Sequence, residues 1–335
     1  MNLLASDQGE EEGTTEEGVE IAMSDDKPLP QTEHDWTIHS LNIHGVFFER
    51  WCQHTIAGVE GWTIASTNYP VEFPLPNGPL RGQQSVLDIR AEYRRDDTIV
   101  TLLIECKKNN PSFVNWIFFP KDSGASGSIY RIHEIENVPH GSPGWAVRSM
   151  IRSQLTTSLI ASEARETRGS YKQFKGGDKT KTSNTAVSEA AYQVALATQA
   201  IFAEEVSFSD AHMHQALTLS PSITPPPYQR QVFLPLIVTT AHLFSCDYDP
   251  ANISAATGEL SYGDATLTEV PYLLFEYPLP RFLHAAPANL VEALTTKRLE
   301  SFMRMDILVV HSSALSQVLR ALVADDGPLT PTSQG

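Results

Sequence analysis

The chain has few cysteines. Only three occur among 335 residues, at Cys52, Cys106 and Cys246, and they lie far apart in the sequence. Such spacing is not typical of a disulfide framework or a zinc site, and it fits reduced thiols buried in a folded domain. We therefore expect a cytoplasmic protein.

Long apolar runs are also lacking. No stretch approaches the roughly 20 apolar residues that a membrane-spanning helix needs, and residues 1–7 lack the basic start and apolar core of a secretion signal. Neither a phosphate-binding P-loop nor a Gly-x-Ser-x-Gly nucleophile elbow occurs. The sequence thus predicts no membrane contact and no nucleotide cofactor.

Basic residues are outnumbered, with 24 Lys and Arg against 40 Asp and Glu and a net charge of −16. Residues 1–35 hold eleven acids and one base, and this composition predicts a disordered segment. Such a segment could shield a basic groove in competition with DNA, or it could be a plain solubilising tail. We expect one domain over residues 36–325 and a flexible tail over residues 326–335.

The most informative residues stand at the end of an apolar strand. The run 102–107 ends in Glu105, Cys106 and Lys107, and alternation along a strand places Glu105 and Lys107 on the same side. A second carboxylate, Asp88, interrupts the apolar strand predicted over 85–93. Buried charges need partners or a function, although a Glu-x-Lys by itself is better explained by a solvated ion pair at a strand end.

This set resembles the PD-(D/E)XK nuclease superfamily, to which restriction endonucleases and Holliday-junction resolvases belong. In that family an Asp on one strand precedes a Glu/Asp-x-Lys on the next, and many members add a Glu on the preceding helix. The matching residues are Asp88, Glu105, Lys107 and Glu49, the last within the helix predicted over 43–56. Leu87 stands where the family name has proline.

The resemblance implies a nuclease that cleaves DNA with Mg²⁺ or Mn²⁺, in restriction, defence or repair. Asp88, Glu105, the Cys106 carbonyl and Glu49 would bind the metal, and Lys107 would orient water and stabilise charge. Gln193, with Gln154 as its rival, would be the polar helix residue beside the lysine. A homodimer is one possible assembly.

A basic segment over residues 165–181 is the candidate DNA contact. Its cations could bind phosphates, and its two aromatics could stack on bases, although a solvated surface loop explains it as well. The tentative nucleic-acid-binding residues are Arg168, Lys172, Lys175, Lys179 and Lys181.

The predicted elements favour an α/β protein, specifically a restriction-endonuclease-like mixed β-sheet flanked by α-helices. Helices are predicted over 43–56, 145–166, 185–205 and 312–324. Two other functions stay open: a catalytically silent module that binds nucleic acid or a partner protein, and a metal-dependent hydrolase of a small phosphorylated substrate.

Overall fold

The structure is a computed structural model that describes residues 32–72, 84–109, 114–121, 129–137, 144–151, 159–167, 185–219, 229–280 and 304–324. Residues 1–31 and 325–335, Gln154 and the basic residues from 168 to 181 lie outside this part of the chain. The predictions made for them therefore stay predictions.

Four α-helices occur in the described residues: α1 (Glu33–Ile43), α2 (Val46–Ala57), α3 (Thr185–Leu219) and α4 (Leu315–Val323). Thr32 caps α1, since its hydroxyl accepts from the N–H of Asp35. The sequence predicts one helix over 43–56, but the chain turns before Val46 because Gly45 has a left-handed backbone with φ +80°.

The described strands number twelve and form one mixed sheet. They are β1 (Trp62–Glu72), β2 (Gln84–Arg95), β3 (Thr98–Lys107), β4 (Asn115–Pro120), β5 (Ile129–Asn137), β6 (Gly144–Ile151), β7 (Ile160–Thr167), β8 (Gln229–Thr239), β9 (His242–Tyr248), β10 (Ala265–Glu269), β11 (Tyr272–Pro278) and β12 (Arg304–His311). The predicted hairpin of strands 85–93 and 98–107 is confirmed as β2 and β3.

The strand order is β1-β2-β3-β8-β12-β11-β7-β4-β9-β10. Strands β1, β2 and β3 are antiparallel, and β8 runs parallel to β3. The first half of β8 also pairs with β5, while its second half pairs with β12. The parallel β3–β8 pair therefore lies between a long antiparallel ribbon and the rest of the sheet.

The predicted fold class, an α/β restriction-endonuclease-like sheet flanked by helices, is wrong for the protein as a whole. Within the described residues strands outnumber α-helices twelve to four, and the sheet continues far past β8. The chain is better described as a large, mostly β mixed sheet that carries a few helices.

Two misassigned regions account for the difference. The helix predicted over 145–166 overlaps strands β6 and β7, and β7 alternates between buried and exposed residues as a strand does. The sequence predicts a loop with Asp247, Asp249 and residues 257–259 between the strands now seen as β8 and β11, where the structure has β9 and β10. Short, weakly apolar strands such as these are stabilised by their neighbours in the sheet, which a local sequence pattern does not reveal.

The core has two layers, one on each face of the sheet. On one face α3 packs its alanine-rich surface against buried residues such as Leu103, Phe233 and Ile237. On the other face α2 and α4 cover Ile104 and Leu236. The continuous apolar run of β8 is explained by this double cover, because both of its faces are buried.

Membrane insertion through a helix finds no support in the described part of the chain. None of its helices combines the length and the apolar character that crossing a bilayer requires.

Candidate functional site

The candidate site lies where β2 and β3 separate. The paired register of these strands ends at Ile89 and Ile104, so the next residue of β2, Asp88, lies beyond the ladder. Its carboxylate takes the place of a backbone partner, since Asp88 Oδ2 accepts from the N–H of Cys106 at 2.7 Å. The separation of the strands thus turns a carboxylate toward the end of β3.

Glu105 and Lys107 lie on the face of β3 that packs against α3. Lys107 Nζ lies 2.9 Å from Glu105 Oε1 and donates to Gln193 Oε1 of α3 at 2.8 Å. Glu105 is only 3% exposed, whereas Lys107 retains 24% exposure. The predicted contact between the lysine and a polar residue of the helix is therefore made by Gln193.

Cys106 faces the other side of the sheet, as strand alternation predicts. It is buried in the core layer of α2 and contacts the thiol of Cys52, which helps raise the pKa of the Cys106 thiol, together with burial. A thiol of raised pKa is a poor nucleophile or metal ligand at neutral pH. Only the backbone of Cys106 is thus suited to take part in the site.

The second oxygen of Glu105 has no partner. Oε2 is buried and makes no hydrogen bond to any described residue, although Oε1 is paired with Lys107. Burial in the first place, and then the neighbouring charge of Asp88, raise the pKa of Glu105 to about 7 against the opposing effect of Lys107. A buried carboxylate oxygen left without a donor is costly unless a ligand satisfies it.

The pKa values of the other two carboxylates, Asp88 and Glu49, are also raised. Burial raises the pKa of Asp88, while the N–H of Cys106 opposes this rise. Burial also raises the pKa of Glu49 on α2, and the charge of Asp88 adds to the effect. Three acids that hinder one another's ionisation form a site where an added cation would be stabilising.

These side chains share one cavity of about 610 Å³. Its lining comes from α1, α2, β1, β2, β3 and α3: Ile43, His44, Gly45, Glu49, Asn68, Ser85, Val86, Asp88, Glu105, Cys106, Lys107, Lys108 and Gln193. The four residues predicted from the sequence as catalytic, together with Gln193, thus line a single opening.

Sequence reasoning missed Asn68 as a lining residue. Its only signal was that asparagine is unusual inside a strand, which is too weak to place a site. Sequence reasoning also missed the structural role of Glu166, which belongs to the basic segment over residues 165–181. Glu166 is buried and accepts from the N–H of Val187 at 2.8 Å, so it fixes the start of the helix that carries Gln193.

The fit to a metal ion rests on a small set of oxygens. In the described part of the chain no three His, Cys, Asp or Glu side chains form a ready cluster around one point. Mg²⁺ commonly takes one or two carboxylates and completes its coordination with water and substrate oxygens. Asp88 and the unpartnered oxygen of Glu105 meet that smaller requirement, with Glu49 close enough to respond to Asp88.

Comparison with models of protein families, with curated proteins and with solved structures finds no match for this chain.

Proposed function

We propose that the protein is a metal-dependent phosphodiesterase that cleaves DNA. One observation carries the proposal: a lysine held between Glu105 and Gln193 lies in the same open cavity as Asp88 and Glu49. Acids that bind a metal and a cation that stabilises phosphate charge are the two parts of a metal-dependent site for phosphodiester hydrolysis.

Asp88 and Glu105 would hold the metal, with the Cys106 carbonyl and Glu49 as additional oxygens. A bound Mg²⁺ or Mn²⁺ would supply Lewis-acid polarisation of the phosphate and neutralise charge on the leaving oxygen. The raised pKa of Glu105, caused first by burial and then by Asp88, is what an acidic site shows without its cation.

Lys107 would stabilise the negative charge of the phosphate. Its ammonium has two acceptors, Glu105 Oε1 and Gln193 Oε1, which fix its position before substrate binds. Preorganised charge of this kind stabilises the negative charge that develops on a phosphate in the transition state. Lys107 would also orient the attacking water, as the family resemblance implies.

DNA is the substrate that the resemblance to PD-(D/E)XK nucleases implies. The support for this substrate comes from the side chains of the cavity rather than from the fold, because four further strands, β4 to β7, separate β3 from α3 in the chain. The net charge of −16 means that DNA contacts would be local rather than spread over a basic surface.

A catalytically silent module is the second candidate. It is favoured by the ion pair of Lys107 with Glu105 and by the lack of a ready three-residue metal cluster in the described ranges. Such a module would bind nucleic acid or a protein without cutting.

The test is an assay of purified protein on plasmid, linear and single-stranded DNA, with Mg²⁺, Mn²⁺ or chelator. We expect cleavage that requires the metal and that falls about 100- to 10,000-fold in Lys107→Ala and Asp88→Asn. Asp96→Asn is the matched control, because Asp96 is exposed in the turn of the same hairpin and away from the cavity.

The outcomes separate the candidates. Binding that survives both substitutions, without cutting by the wild-type protein, would support the silent module. Hydrolysis of a small phosphate ester with no action on any DNA would support the third function considered from the sequence.

A further inference from the structure

Asn68 has an unusual backbone conformation for its place. Its φ is +50°, a left-handed value, in the middle of strand β1. Among the described non-glycine residues only Asp96 shares this property, with φ +51°, and Asp96 lies in the tight turn between β2 and β3. Left-handed residues are usual in such turns and rare within strands.

The ribbon of β1 and β2 changes its buried face at Asn68. Thr67 pairs with Ile89, which is buried in the layer of α2 and α4. Tyr69 pairs with Leu87, which is buried in the layer of α3. Asn68 therefore stands opposite Asp88 at the point where the ribbon bends away from β3, and its side chain lines the cavity.

The bend alone does not call for asparagine. Glycine adopts positive φ without the steric cost that a residue with a Cβ meets. The carboxamide of Asn68 makes no hydrogen bond to a described residue, so it contributes no internal contact there. What asparagine adds is an uncharged N–H donor in a cavity where Glu49, Asp88 and Glu105 would repel an anionic substrate.

We propose that Asn68 is a phosphate-binding residue, whose carboxamide N–H donates to a non-bridging oxygen of the phosphodiester beside Asp88. This inference rests on the proposed function, since it assigns the substrate contact of the same cavity. A neutral donor can hold the phosphate without competing with the carboxylates for the metal. The left-handed backbone is the means by which a strand residue reaches that position.

The experiment compares Asn68→Gly with Asp96→Gly. Each variant replaces a left-handed residue by glycine in the β1–β3 region, so each relieves the same backbone strain, but only Asn68 lies in the cavity. We expect both to melt at or above the wild-type temperature. We expect KM for DNA to rise about 10- to 100-fold in Asn68→Gly with kcat nearly unchanged, and no change in Asp96→Gly.

Asn68→Asp provides a second reading, because aspartate also tolerates positive φ but adds a negative charge. We expect a larger rise in KM than in Asn68→Gly. A wild-type KM in Asn68→Gly would overturn the inference while leaving the nuclease intact, and so would a variant that fails to fold. A wild-type protein that cleaves no DNA with either metal would overturn the proposed function and this inference with it.

Discussion

Three buried glutamates of the same sheet are treated very differently by their surroundings. Glu276 on β11 receives Lys121 on both oxygens, at 3.1 Å each, and a close contact from Arg304. Glu134 on β5 receives Arg230 through two nitrogens, at 2.7 and 3.3 Å. Glu105 has one lysine and leaves its second oxygen without a donor.

The unpaired oxygen of Glu105 marks a place where the fold can accept a ligand. Satisfied carboxylates hold strands together, and a cation from the chain itself completes each of them. Glu105 is as deeply buried but opens onto a cavity with two more acids. Its unpaired oxygen is thus suited to a cation from outside the chain, as the proposed function requires.

The largest effect should come from neutralising one of the satisfied glutamates. Glu134→Gln removes the charge that faces the guanidinium of Arg230, which is only 14% exposed, and we expect a loss of about 3 kcal/mol in the free energy of unfolding. The matched Glu105→Gln should change this free energy by less than about 1 kcal/mol, since it removes a charge that is poorly compensated. Urea unfolding of both variants in chelator measures the contrast, and equal losses would contradict it.

Adding a divalent metal should stabilise the wild-type protein through the carboxylates of the cavity. A divalent cation that binds only the folded protein stabilises it by about 2.7 kcal/mol at 100 times its Kd. We expect Mn²⁺ to raise the melting temperature of the wild-type protein but not of Glu105→Gln or Asp88→Asn. A similar rise in all three would place the metal elsewhere.

A smaller effect tests whether an unpartnered buried atom is enough to indicate function. His133 on β5 is buried between Phe202 and Gln199, and its Nδ1 also has no hydrogen-bond partner among the described residues. Burial lowers the pKa of His133 to about 4. In this pH range the unfolded state binds a proton at His133 that the folded state does not bind. The folded protein therefore has its full stability above about pH 6.5 and loses stability as the pH falls toward 4.

We expect His133→Gln to remove this part of the acid sensitivity, on the order of 2 kcal/mol between pH 7 and 4, and to leave DNA cleavage unchanged. Urea unfolding at several pH values and the cleavage assay together measure it. Loss of cleavage in this variant would mean that His133 also takes part in function, and that the site extends beyond the carboxylates around Glu105.

The hairpin that carries the site was predictable because it is local. Strand β3 is apolar and β2 alternates apolar with polar residues, the two are joined by a two-residue turn, and the sides of Glu105 and Lys107 follow from alternation. The fold class was not predictable in the same way. Strands β6, β7, β9 and β10 have weak patterns of their own, and β7 and β9 pair with strands that are distant in the sequence.

The chemical groups of the site follow from the amino-acid order alone: the acids, the lysine, and the side of the strand from which Glu105 and Lys107 project. How these groups meet depends on the packing of strands and helices. The parting of β2 from β3 turns Asp88 toward Cys106, the packing of α3 brings Gln193 to Lys107, and Asn68 adopts a left-handed backbone in the lining of the cavity. The contact between Gln193 and Lys107 joins residues 86 positions apart, and a local sequence pattern does not contain that information.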